Sequence, residues 1–211
     1  MSPWSSPAWP EPFTASWNRG DTTRTLLDST MPFYDVREVH EVVVEARPEV
    51  VWSALHEVSL RAVPVFHGLM TLRELPGLLL GRRWLTADVE RPILEQMAAS
   101  GFVPLGARPP AETVLGLLTR PWRGEVGGGA EDAASFLAFD EPGWAKAVLA
   151  FRLEGEGGRT RLVTETRVLV TDTPARRKFR IYWRAVGWAS ALTRRAWLEA
   201  VRRRAERPGA D

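Results

Sequence analysis

A chain of 211 residues, 45% of them apolar, buries roughly 70% of its unfolded surface as one domain and needs no staple. It contains no cysteine, which excludes disulfides, thiolate nucleophiles and thiolate metal sites. A net charge of +2 is too small to imply a nucleic-acid partner, and no apolar run approaches the roughly 18 residues of a membrane span.

The basic charge is nearly all arginine, Lys146 and Lys178 being the only lysines. That reads as coding bias rather than phosphate recognition. The first residues lack a basic region followed by an apolar run, so a secretion signal is not expected. A bacterial-type, cytoplasmic setting suits such a chain.

Residues 1–28 read as an arm preceding a single domain over residues 29–211. Pro3, Pro7, Pro10 and Pro12 alternate with Trp4, Trp9, Phe13 and Trp17, and proline at that density forbids regular helix. Two readings stay open: a disordered tail, or an arm whose tryptophans dock on the domain or a partner.

Val36 to Ala46 is β-branched and predicts the first strand. Pro48 and Glu49 open a helix with an apolar stripe of Val51, Trp52, Leu55 and Val58. A second helical piece, Leu60 to Leu72, is interrupted by Pro64. A further helix spans about 91–100 and stops at Gly101. Five strand-like runs follow: Phe102 to Ala107, Glu112 to Thr119, Ala134 to Phe139, Ala145 to Leu153, and Thr160 to Thr171. Separated only by turns, they imply an antiparallel meander.

Asp172, Thr173 and Pro174 announce a final helix reaching about Glu206, some 50 Å long at 1.5 Å per residue. One face carries Phe179, Tyr182, Trp183, Val186, Ala189, Thr193, Trp197, Ala200 and Val201. Its back carries a second apolar stripe, Ile181, Ala185, Trp188 and Leu192, which a one-faced surface helix would not need. That stripe expects a cover: the arm, the 60–90 segment, or a second subunit in a homodimer through Ile181, Trp188 and Leu192.

The order of elements is strand, short helices, antiparallel strands, long final helix. With the stretch from His40 through Pro48 to Trp52, and the turn and strand from Gly157 to Val168, it resembles the START/Bet v 1-like (SRPBCC, polyketide cyclase-like) superfamily. The resemblance covers residues 36 to 206. It implies an α+β helix-grip fold, a curled antiparallel sheet wrapped around a long C-terminal helix, with the helix at about 91–100 as an addition. The implied function is binding of a small, mostly apolar molecule or lipid in a cavity between sheet and helix. Two other roles remain open, an aromatase/cyclase-like enzyme using the same pocket and a protein-interaction module, because one fold serves many functions.

Candidate ligand-binding residues are Phe151, Glu165, Arg167, Phe179, Trp183 and Val186. Phe151, with Leu149 and Leu153, forms an inward set whose plain reading is core. Glu165 and Arg167 share one face of the last strand. Facing the cavity they would hold a polar ligand group; facing outward they would be an ordinary surface pair. In the cyclase reading Tyr182 joins them.

No catalytic set assembles in the sequence: there is no Gly-x-Ser-x-Gly, and Gly127 to Gly129 lacks the lysine of a phosphate loop. His40, His56 and His67 lack the spacing of a helical metal pair, so structural or solvated roles are expected for all three. No metal and no cofactor is expected. The arginines from Arg202 to Arg207 suit the C-terminal end of a helix.

Overall fold

The computed structural model describes residues 25–63 and 88–207. The arm up to residue 24, the expected helix beyond Val63 and His67 lie outside the described residues. The elements in chain order are α1 (Leu26–Thr30), β1 (Val36–Val44), α2 (Pro48–Glu57), α3 (Ile93–Ala99), β2 (Val103–Arg108), β3 (Glu112–Arg120), β4 (Glu125–Val126), α4 (Ala133–Ala138), β5 (Ala145–Glu156), β6 (Arg159–Val170) and α5 (Thr173–Ala205). The strands form one curled antiparallel sheet in the order β1-β6-β5-β3-β2, with β4 paired to β3. The long helix α5 crosses β1 and β6, which is the helix-grip arrangement.

Local chemistry explains most boundaries. Pro48 occupies the first turn of α2, where its missing N–H costs nothing. Asp172 caps α5 by accepting the Ala175 N–H at 2.7 Å. The added helix α3 buries Ile93, Gln96 and Met97.

Residues 134–139, expected as a strand, form helix α4 instead. Asp132 accepts the Ser135 N–H at 2.8 Å while Ser135 Oγ accepts the Asp132 N–H at 3.1 Å, a capping box that fixes a helix start. The run Ala-Ala-Ser-Phe-Leu-Ala that follows has good helix formers, and the apolar reading overrode the cap. The sequence reading also lacked α1. Thr25 caps it, the Glu112 carboxylate accepts the Leu26 and Leu27 N–H groups, and Leu27 is buried. Residues 25–28, given to the arm, therefore pack within the domain.

The sheet is covered on both sides. Register places His40, Thr164, Phe151 and Thr113 side by side on one face, with Glu38, Thr166, Leu149 and Leu115 as the next row. This inner face meets α5: the Phe151 and Trp197 rings cross edge-on at 4.8 Å. The outer face carries Glu165, Arg167, Val148, Ala150, Val114 and Leu118, under α1 and α4. Gly116 allows α4 to sit against the sheet there, since a Cβ would lie 2.8 Å from the Phe136 ring.

Candidate functional site

Helix α5 buries side chains against the sheet near its two ends and none fully between them. Near its start, Ala175 and Phe179 pack with Ala145, Val168 and Val170. Near its end, Trp197, Leu198, Ala200, Val201 and Ala205 pack with Leu149, Phe151, Leu153, Leu162 and α2. From 180 to 192 no residue of the helix is buried. Within that span Tyr182, Trp183 and Val186 are half-buried, and beside them lie small or polar groups: Thr164 and Thr166 on β6, Gly187 and Ser190 on α5, with Glu38 and His40 on β1.

These polar groups form a partly satisfied network. Glu38 Oε1 lies 2.8 Å from His40 Nε2, and Ser190 Oγ donates to Glu38 Oε2 at 3.1 Å. Both partners meet on the carboxylate, so Ser190 does not give its proton to His40, and the trio is not a nucleophile-base-orienter arrangement. His40 Nδ1 makes no hydrogen bond to a described residue.

One turn beyond Ser190, Arg194 follows the same inward stripe as Trp197 and Val201. Its guanidinium carbon stands 5.9 Å from the centre of the Trp197 ring. The residue keeps some exposure, but its Nε is shielded and has no partner, and among the described residues the guanidinium has no carboxylate within 4.0 Å. Burial pulls its pKa below the ordinary guanidinium value, to about 10, with the Glu38 charge opposing the shift. It is therefore a cation at neutral pH in a place that penalises cations. Two further polar atoms on this face lack partners: Thr164 Oγ1, on a residue 1% exposed, and Trp197 Nε1, on a residue 0% exposed. Buried polar groups are nearly always paired, and three of the seven exceptions among the described residues lie on this face.

The sequence-selected residues divide between regions. Phe151 is in the inner core against Trp197. Phe179 stacks on Trp183 at 5.6 Å at the start of α5, and Val186 is half-buried in the middle of the open span. Glu165 and Arg167 are buried as a pair, yet on the face away from α5. Arg37 donates to Glu165 at 2.7 and 3.0 Å, and Arg167 donates to Glu165 at 2.8 Å, to the Met31 carbonyl at 2.9 Å and to Asp28 at 2.7 Å. Burial alone would raise the Glu165 pKa; the Arg37 and Arg167 guanidiniums outweigh it and hold the carboxyl below its ordinary value. Neither expected alternative, cavity wall or solvent, anticipated a second covered face.

Glu38, His40, Ser190 and Arg194 were not selected from sequence. The signals were present: Glu38 and His40 sit two apart on the strand with Val36, Val42 and Val44, and Arg194 interrupts an otherwise apolar helical stripe. His56 is structural, its Nδ1 lying 2.9 Å from the Trp52 carbonyl. Among the described residues no group of three or more histidine, aspartate or glutamate side chains could hold a metal ion. No helix among them is long and apolar enough to cross a membrane.

A surface cleft of about 450 Å³ at the start of α5 is lined by Arg120, Trp122, Arg123 and Lys178. Its Arg120 is already engaged by the Gly143 carbonyl, Glu125 and the Trp144 ring. On the back of α5, Ile181, Trp188 and Leu192 are 75%, 60% and 43% exposed.

No family model matches the chain, and no curated protein matches it significantly. Solved structures do align with it. A conserved protein from Geobacillus kaustophilus is 15% identical with a TM-score of 0.41, over 81% of this chain and 95% of that one. A Thermus thermophilus protein is 13% identical with a TM-score of 0.31, over 81% and 97%. An aromatase/cyclase from a Streptomyces species is 16% identical with a TM-score of 0.32, over 82% and 98%. These likenesses concern the arrangement of strands and helices and carry no functional argument.

Proposed function

We propose that this domain binds a small, mostly apolar organic molecule between the inner sheet face and the middle of α5. The observation that carries the reading is the span of α5 from 180 to 192 in which no residue is buried, flanked by apolar clusters, with Thr164 Oγ1, Arg194 Nε and Trp197 Nε1 left without partners on the same face. A binding site has this composition: apolar surroundings, which favour a ligand by roughly 25 cal/mol per Å² removed from water, and a few polar groups that set its orientation. Structural burial would have paired or removed those groups. Native mass spectrometry after gentle purification, with thermal-shift screening against a lipid extract and a broad apolar library, tests it. A retained compound or a raised melting temperature is expected; a domain that no compound stabilises would sink the proposal.

One observation favours an enzymatic role for the same place. His40 is oriented by Glu38 through one nitrogen while the other remains available, as a general base or acid requires. Turnover of a polyketone surrogate that is lost in His40→Gln but kept in the wild type would establish the cyclase-like reading. Absence of turnover in the wild type leaves binding alone.

A further inference from the structure

We infer that the ligand of this site carries a carboxylate, and that Arg194 is the group that receives it. The inference deepens the proposed function and rests on it. Its basis is the state of the charges across the open span. Glu38 has both oxygens occupied, Oε1 by His40 and Oε2 by Ser190, at 2.8 and 3.1 Å. Arg194, one helical turn from Ser190, has no carboxylate within 4.0 Å among the described residues, and its Nε is shielded from water without an acceptor. Every other described arginine whose shielded Nε makes no hydrogen bond differs from it. Arg161 and Arg202 each use another part of the guanidinium in an ion pair or hydrogen bond, and the Arg176 Nε lies 2.8 Å from Asp35 Oδ1.

A guanidinium presents five N–H donors in a planar fork and accepts nothing, so the missing partner is an acceptor. A carboxylate fits best because its two oxygens match the fork and its charge removes the penalty of holding a cation there. The Trp197 ring backs the guanidinium at 5.9 Å and limits its orientations. Thr164 Oγ1 and Trp197 Nε1, both unpartnered, share the inner face and add a hydroxyl and a donor beside the apolar core. The chemical class is therefore an acid with an apolar body, either a fatty acid or an aromatic acid.

Matched pairs of probes separate charge from apolar bulk: dodecanoate against dodecanol, and cinnamate against cinnamyl alcohol. Binding to the full chain is followed by isothermal titration at low salt. In the wild type the acid of at least one pair binds about tenfold or more tightly than its alcohol. In Arg194→Gln the acid falls to the affinity of the alcohol while the alcohol is unchanged. The pair that shows the preference identifies the fatty or the aromatic body. Equal binding of acid and alcohol to the wild type would overturn the inference and leave the proposed function standing. A preference that survives Arg194→Gln would overturn the assignment to Arg194. Failure of all four probes to bind would overturn the inference, while the proposed function stands or falls on the library screen. The wild-type comparison needs no variant, so it holds even if Arg194→Gln misfolds.

Discussion

The two faces of the sheet both bury charge, but they treat it differently. On the outer face every buried ionic group has partners. Glu165 is shared by Arg37 and Arg167, Glu112 holds the first turn of α1, and Lys146 donates to the Leu137 and Phe139 carbonyls at the end of α4. On the inner face the Arg194 guanidinium has no carboxylate partner among the described residues, and Thr164 and Trp197 carry idle polar atoms; the outer face has one such neutral atom, Trp144 Nε1. Burial of charge is therefore a poor marker of a site in this protein. Incomplete pairing is the better one, because an unpaired buried group costs stability that evolution retains only for a use.

Three experiments test that contrast. The largest effect is expected at Glu165→Gln. It leaves Arg37 and Arg167 without their shared carboxylate, and Arg167 is only 7% exposed. Breaking a buried pair this way costs about 3–5 kcal/mol, read by chemical denaturation. A loss below about 1 kcal/mol would mean that the outer network is not structural.

Acidification gives a graded form of the same loss. Glu165 and Asp28 are held below their ordinary values of 4.5 and 3.8. Burial works against each shift, with Arg37 and Arg167 outweighing it at Glu165, and Thr25 and Arg167 at Asp28. In that window the unfolded chain binds more protons, so stability is fully present above the ordinary values and is lost as pH falls through the lowered ones. Stability measured against pH should therefore drop on the acid side, and Glu165→Gln should flatten the drop. An unchanged slope in the variant would show that the carboxyl is not depressed.

The smallest change in stability is expected on the inner face, adjacent in sequence though it is. Thr164→Val removes a hydroxyl with no partner, and Arg194→Met replaces an unpaired buried cation by an apolar chain. Each should leave stability within about 1 kcal/mol of the wild type, on the stabilising side. Arg194→Met should do so while weakening ligand binding. A loss of 3 kcal/mol or so in Arg194→Met would give Arg194 a structural partner and erase the difference between the faces.

Much of the fold was legible because its signals are local. Pro48 and Asp172 mark helix starts by their own backbone chemistry, and β-branched runs between glycine turns mark strands. The helix α4 was misread because its apolar residues outweighed a capping box four residues long. The candidate site was less legible. Glu165 and Arg167 announced themselves as an unusual pair, and nothing in the strand says which face α5 will cover. Arg194 announced itself less, because one arginine in an apolar stripe more often reaches back to solvent.

The long C-terminal helix, the antiparallel sheet and the absence of thiol chemistry follow from the sequence alone, since periodicity, caps and residue types are properties of short stretches. Only the tertiary structure decided that both faces of the sheet are covered, that Glu165 and Arg167 lie beneath α1, and that Glu38 and His40 lie beneath α5 beside Ser190. Pairing in a sheet joins residues more than a hundred positions apart, such as His40 and Thr164, and the face each presents is set by which helix lands on it.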